Sequence, residues 1–316
     1  MKNQQWLPDF LGIGGTRCGS TWLHYNLRKH PEIWLPPIKE LHYFDRSPHY
    51  DSPSHLATGQ LWARLFGKES HNRDWRSSAS RSIARSLVSD IRTLPWKLKY
   101  FGGRYDDDWY ASLFKPGRDK TRGEITPAYS ILSARDVAAV HSLVPHAKII
   151  LFLRNPIDRI WSAHCKNFVT ESQIREQLAL PQLDARSDFL SILSNWRGIY
   201  PKQQLLIEFY DELKVDPEGL LRRVYQFLGV DSSSRYVWPE LRERLNASPP
   251  KPMPEDLKVA LTRKYEAQIK GLSDLLGSYA TQWLDDAQAT LGTRAYATKV
   301  AWRVDESGGD SSTATR

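Results

Sequence analysis

The stretch Phe10-Leu11-Gly12-Ile13-Gly14-Gly15-Thr16-Arg17-Cys18-Gly19-Ser20-Thr21-Trp22 holds residues whose types and spacing could do chemistry. An apolar run (Phe10, Leu11, Ile13) enters it, and Trp22, Leu23 and Leu27 leave it at helical spacing. A glycine-rich turn between a strand and a helix aims backbone N–H groups and the positive helix end at one point, which makes a phosphate site. Gly14 and Gly19 have the spacing of a nucleotide-binding glycine loop, but that loop carries a lysine directly after its second glycine. Ser20 stands there instead, and the cation, Arg17, lies two places before Gly19. The loop reads as a phosphate binder unsuited to ordinary ATP chemistry.

A second junction follows the apolar run Lys148 to Leu153. Arg154 sits at its carboxyl end, where ligands collect in parallel sheets. Ser162 lies about two helical turns further on. An arginine fork and a serine hydroxyl can pinch one phosphate. Taken singly, the arginine is more often a surface ion pair and the serine merely solvated. Taken with the first loop, the two junctions suit a nucleotide phosphorylated at two separate places.

The elements that position these residues read as follows. Residues 10–15 form a strand and 19–30 a helix, which His30-Pro31 stops. Residues 33–35 are a short extended piece, and Glu40 to Phe44 another. Residues 46–100 are helices and loops over the core near a substrate entrance, with helical spacing from Trp75 to Ile91. Asp106, Asp107 and Asp108 open a helix, as its dipole favours. Lys148 to Leu153 is a buried strand, Ile157 to Phe168 a helix, and Gln204 to Glu208 a further strand. Pro217 to Leu228 is an amphipathic helix ended by Gly229, and Pro254 to Leu276 a long helix. Residues 304–316 are a polar tail, expected to be disordered. Strands alternating with helices predict an α/β fold around a central parallel sheet.

Of 316 residues, 41% are hydrophobic, including twelve Trp, enough for a substantial core. One domain over residues 1–303 is expected, with 46–122 as a helical and loop insertion near the acceptor cleft. The net charge of +8 points to an anionic partner: a nucleotide, an acidic lipid or sugar, or nucleic acid. Nucleic acid is the weaker choice, because Lys and Arg are spread rather than gathered in one tract. Two cysteines make no disulfide framework, and the histidines show no metal-ligand spacing. The first residues carry no apolar signal region, and no apolar run reaches the ~18 residues of a membrane span. A cytoplasmic protein without a transmembrane segment is the expectation.

With both junctions in view, the chain resembles the sulfotransferases that use 3′-phosphoadenosine 5′-phosphosulfate (PAPS). The nearest similarity is to their carbohydrate, heparan-type branch and its bacterial relatives. Lys39-Glu40-Leu41-His42-Tyr43-Phe44 and Gly123-Glu124-Ile125-Thr126-Pro127-Ala128-Tyr129 resemble segments of that branch, as do Trp109 to Phe114 and Gln204 through Gly229. The resemblance implies a P-loop-like three-layer α/β fold, with helices flanking the sheet. It implies sulfuryl transfer to a hydroxyl of a carbohydrate, glycolipid or other small-molecule acceptor, with release of adenosine 3′,5′-bisphosphate and no metal. The lack of an N-terminal anchor speaks against a Golgi-resident enzyme and hence for a bacterial one.

The resemblance assigns roles residue by residue. Arg17, Cys18, Gly19, Ser20, Thr21 and Trp22 would hold the 5′-phosphosulfate end. Arg17 matches a position where many members have lysine, and keeps the charge without acting as a proton donor. Trp22 matches the position that stacks on adenine; its plain alternative is a core aromatic. Cys18 reads as a small filler. Arg154 and Ser162 would bind the 3′-phosphate. Glu40 matches the catalytic base, His42 competes for that role, and in an extended segment Glu40, His42 and Phe44 share one face. Lys39 would then face away unless the backbone twists. Glu124, Thr126 and Tyr129 either line the acceptor cleft or order the sheet. Arg244 and Lys251 are candidates for covering the adenosine end. Two rivals stay open: a P-loop-type nucleotide kinase and a non-catalytic nucleotide-binding protein.

Overall fold

The computed structural model describes residues 4–47, 49–50, 56, 58–166, 169–242 and 251–306. Its strands are β1 (Phe10–Gly14), β2 (Ile33–Trp34), β3 (Thr121–Ile125), β4 (Lys148–Leu153) and β5 (Leu205–Phe209). They pair in parallel in the order β2-β3-β1-β4-β5. Every residue of β1 is buried, and every residue of β4 after Lys148, which is why both read as unbroken apolar runs. β1 takes β3 on one side (Phe10↔Gly123) and β4 on the other (Phe10↔Lys148). The connection after β1 runs toward β2 and the chain later returns on the far side as β4. The crevice at the carboxyl ends of β1 and β4 is thus where such a sheet binds ligands.

Helix α1 (Ser20–Lys29) leaves β1. Between β2 and β3 come α2 (Leu61–Phe66), α3 (Ser70–Ser89), α4 (Leu94–Gly102) and α5 (Asp107–Leu113). α6 (Ala134–Leu143) links β3 to β4. α7 (Pro156–His164), α8 (Glu171–Ala179) and α9 (Phe189–Arg197) lie between β4 and β5. α10 (Glu212–Val215), α11 (Pro217–Leu228), α12 (Glu255–Leu276) and α13 (Tyr279–Glu306) follow. The caps are those expected of these sequences: Asp106 accepts from the Trp109 N–H at 2.8 Å, Asn155 from the Ile157 N–H at 3.0 Å, and Gly229 ends α11 in the left-handed region.

The chain divides into two compact units, Met1–Arg154 with Ser191–Ala247, and Asn155–Leu190 with Ser248–Arg316. The first contains the whole sheet. Its inserted helices have their own aromatic core, in which Trp75, Trp96, Tyr100, Tyr105, Trp109 and Tyr110 pack with Leu41 and Tyr43. Most of the aromatics between residues 43 and 114 are therefore core. The second unit is helical: α12 buries Leu257, Leu261, Tyr265 and Ile269 and contacts α7, α8 and α13. Within it Arg159 pairs with Asp184.

Two expectations are corrected. Residues 40–44 are not a strand: Glu40 and His42 both have left-handed backbone (φ 62° and 56°), so no common strand face exists. Residues 304–306, expected in a disordered tail, are the last residues of α13, and the rest of the tail lies outside the described residues. Phe168, expected to close a helix, and Arg244 also lie outside them.

Candidate active site

The loop after β1 is built around backbone that a side chain resists. Gly14 (φ 131°) and Gly19 (φ 99°) occupy the left-handed half of the map, and Arg17 joins them at φ 66°. A Cβ on Gly14 would meet the Pro127 carbonyl at 2.6 Å. The Gly15 N–H donates to the Phe152 carbonyl of β4 at 2.7 Å, and the Cys18 N–H to the Gly15 carbonyl at 3.1 Å. Gly19 opens α1 and no side chain caps that helix. Helix geometry leaves the N–H groups of Ser20, Thr21 and Trp22 without intrahelical acceptors. Such a helix end favours an anion.

Cys18 is fully buried, with Sγ 3.5 Å from the Thr16 carbonyl, which is the filler reading. Trp22 is 3% exposed and donates its indole N–H to the Leu241 carbonyl at 2.9 Å, with its ring 6.5 Å from that of Phe152. It packs as an aromatic of the core against Phe152.

Arg154, directly after β4, reaches the same loop. Its Nη1 donates to the Arg17 carbonyl at 3.1 Å, and its guanidinium lies 4.5 Å over the Tyr210 ring. Tyr210 is itself anchored just beyond β5 by its N–H to the Leu153 carbonyl at 2.7 Å. The Arg154 Nε is buried and has no acceptor among the described residues. Such a donor carries a desolvation cost that an anion would offset. Ser162 lies on α7, in the second unit, and is buried.

The segment after β2 brings charge to the loop. Lys39 Nζ sits 2.5 Å from Glu40 Oε1 and 3.5 Å from Ser20 Oγ. The left-handed turn at Glu40 supplies the twist that lets Lys39 and Glu40 meet. His42 Nε2 is 3.7 Å from Glu40 Oε2, and His42 Nδ1 is 2.7 Å from Oδ2 of the fully buried Asp45. A continuous line thus runs Ser20, Lys39, Glu40, His42, Asp45. Burial alone would push Glu40 up, but the His42 hydrogen bond and the Lys39 charge outweigh it and bring it down to about 2. Burial alone would push His42 down, but Asp45 and then Glu40 hold its proton and raise it to about 10. At neutral pH Glu40 is a carboxylate and His42 an imidazolium.

Glu124, Thr126 and Tyr129 hold this segment from below. Glu124 is 2% exposed and accepts from Tyr110 (2.5 Å), Thr126 (2.7 Å), Tyr129 (3.1 Å) and the Leu41 N–H (3.3 Å). The Leu41 N–H also reaches Thr126 Oγ1 at 3.0 Å, and the Tyr43 N–H donates to the Tyr129 hydroxyl at 2.8 Å. All three side chains are buried, so they order the Glu40–His42 backbone rather than line a cleft.

Three participants were not singled out from sequence. Asp45 follows His42 by three residues, Tyr210 follows β5 as directly as Arg154 follows β4, and His24 stands one helical turn beyond Ser20. His24 is brought down to about 4 by burial, then by the charges of Lys39 and Arg28, and its buried Nδ1 lacks a partner among the described residues. Lys251, exposed, gives its carbonyl to the Trp161 indole at 2.7 Å. Among the described residues no group of three or more His, Cys, Asp or Glu could hold a metal ion.

The sheet is parallel, a glycine-rich loop follows its first strand, and Lys39 pairs with Glu40 beside that loop. The chain belongs to the sulfotransferase family, whose description, "Sulfotransferase family", matches residues 8–234. It is similar to carbohydrate sulfotransferase 15 of Homo sapiens, 23% identical over 259 residues that cover 71% of this chain and 44% of that protein. It is also similar to bifunctional heparan sulfate N-deacetylase/N-sulfotransferase 2 of Homo sapiens, 25% identical over 251 residues, 73% of this chain and 23% of that protein. The chain thus spans about half, or less, of these curated relatives. Its fold is shared with a sulfotransferase from Alicyclobacillus acidocaldarius (TM-score 0.58, 23% identity, covering 87% of this chain and 98% of that one).

Proposed function

We propose that this chain transfers a sulfuryl group from PAPS to a hydroxyl of a carbohydrate, glycolipid or other small hydroxylated metabolite. The observation that carries the reading is Lys39, placed between the anion-binding start of α1 at Ser20 and the ionised carboxylate of Glu40. The residues present suit a doubly phosphorylated nucleotide. The uncapped end of α1 would hold the 5′ end, with Arg17 adding charge, and Arg154, whose buried Nε lacks an acceptor, would hold the 3′-phosphate. Ser162, which the resemblance also assigns to a phosphate, lies on α7 of the second unit. PAPS, when bound, supplies a sulfuryl group on a phosphate leaving group.

The chain's own residues do the rest. Lys39 is drawn toward anionic charge at the loop, and its departure from Glu40 removes one of the two cations that hold that carboxylate down. Glu40 then takes the acceptor's proton. His42, already protonated and held by Asp45, orients Glu40 and accepts no proton. Arg17 stabilises charge on the departing phosphate without donating a proton.

Thermal melting with adenosine 3′,5′-bisphosphate, ATP and 5′-AMP at equal concentration tests this reading. Saturation near a hundred times Kd stabilises the fold by about 2.7 kcal/mol, a shift of roughly 4 °C. Selective stabilisation by the bisphosphate is the expected result. Equal or greater stabilisation by ATP would restore the kinase reading, and no shift with any of them would remove the nucleotide site.

A further inference from the structure

Outside the candidate active site, the feature least explained by folding is the outer surface of α2, α3 and α4. Leu61, Trp62, Leu65 and Phe66 form one side of α2, at 42%, 74%, 40% and 70% exposure. The Trp62 and Phe66 rings stack on each other at 5.2 Å, and both are largely exposed. Arg76 fixes this helix in place: its Nη1 donates to the carbonyls of Arg64 (2.8 Å), Leu65 (3.2 Å) and Gly67 (3.0 Å).

On α3 the inner side buries Trp75, Ala79 and Ser86, and the solvent side interleaves Arg73, Arg81 and Arg85 with Leu87 and Val88, the last 90% exposed. Ile91 and Leu98 continue the exposed aliphatics at 58% and 52%. Residues 61–99 hold nine Lys and Arg against three Asp and Glu, a net +6 of the whole chain's +8. The basic character noted from composition is therefore concentrated on the helices that expose the aromatic and aliphatic side chains.

We propose that α2, α3 and α4 form a docking surface for an anionic lipid bilayer. Stacked aromatics among aliphatics sit at the headgroup boundary, and neighbouring Arg and Lys meet acidic headgroups. Arginines alone would serve a polyanionic glycan, and would leave Trp62, Phe66 and Val88 in water without a role. Among the described residues no helix is long and apolar enough to cross a membrane, so the contact lies on the bilayer and does not span it. The aromatic core behind these helices, Trp75, Trp96 and Tyr100 among it, makes the surface rigid before it docks. The inference does not depend on the proposed reaction.

Flotation of the full chain with vesicles tests it. Vesicles of phosphatidylcholine mixed with phosphatidylglycerol should carry the protein up, and phosphatidylcholine alone should not. Arg81→Gln with Arg85→Gln should weaken binding roughly 30-fold, the effect of losing two surface-bound cations. Trp62→Ser with Phe66→Ser, scored separately, should also weaken it and make what remains far more sensitive to salt. All four side chains are exposed, and an unchanged melting temperature confirms that each variant is folded. Absence of flotation overturns the proposal. So does flotation that Trp62→Ser with Phe66→Ser leaves intact, which would make the surface a general polyanion binder. Self-association that this pair abolishes, without vesicle binding, would assign the surface to protein contact instead.

Discussion

In the proposed reaction Glu40 and His42 are the two candidates for the base, and their surroundings differ. His42 lies between two carboxylates and keeps its proton; Glu40 lies between two cations and loses its own. Glu40→Gln should cut turnover by about 10²–10⁴-fold while leaving the bisphosphate-induced melting shift in place. His42→Gln should cost less and move the acid limb of the rate profile upward, because Glu40 loses a donor that holds it at about 2. The parent profile should show no limb at 6.5, the ordinary histidine value. A limb there would make His42 the base. The stability effects run in opposite directions. Glu40 is depressed, so its contribution is present above 4.5 and is lost as pH falls through about 2. His42 is raised, so its contribution is full below 6.5 and is lost as pH rises through about 10.

At the scale of elements, the 40–44 segment is an irregular stretch held to β3 and the residues after it by side chains. Tyr129 ties it down twice, accepting from the Tyr43 N–H and donating to Glu124. Tyr129→Phe leaves a buried N–H unpaired and removes one donor from Glu124, and should destabilise the fold by about 1–3 kcal/mol. It should also lower kcat more than it weakens nucleotide binding, because the loop after β1 is held separately, by β4 and Arg154. Unfolding curves and steady-state rates of the variant check both halves. The strand–loop–helix of residues 10–29 and the buried strand of residues 148–153 were legible in sequence because each is a local pattern. The 40–44 segment was misread because β-like composition cannot show that two of its residues take left-handed backbone.

Across the molecule, buried tyrosines set the alkaline limit. Burial raises Tyr105 and Tyr265 to about 12, and Tyr100, Tyr110 and Tyr129 well above 10.0. An unfolded chain ionises them near 10.0, so their contribution is full below that value and is lost as pH rises through the folded values. Each should remove about 1.4 kcal/mol per pH unit once the unfolded state titrates and the folded state does not. Cooperative unfolding above pH 10, with tyrosinate absorbance appearing together with the loss of helical circular dichroism, is the expected outcome. Tyrosinate absorbance that precedes unfolding would show these hydroxyls to be accessible.

Local pattern was enough for the α/β alternation, the glycine-rich turn after β1, Arg154 at a strand end and Glu40 as the acidic candidate, since apolar runs, glycine spacing and strand ends are properties of neighbouring residues. Contacts between distant segments decided the rest. Glu124 and Tyr129 support residues more than eighty positions earlier. Trp22 fills core against Leu241 and Phe152. Lys39 meets Ser20 because the chain folds back past α1 and β2. Charge sets a proton's place only through the groups that surround it, so the protonation states of Glu40 and His42 belong to the tertiary structure.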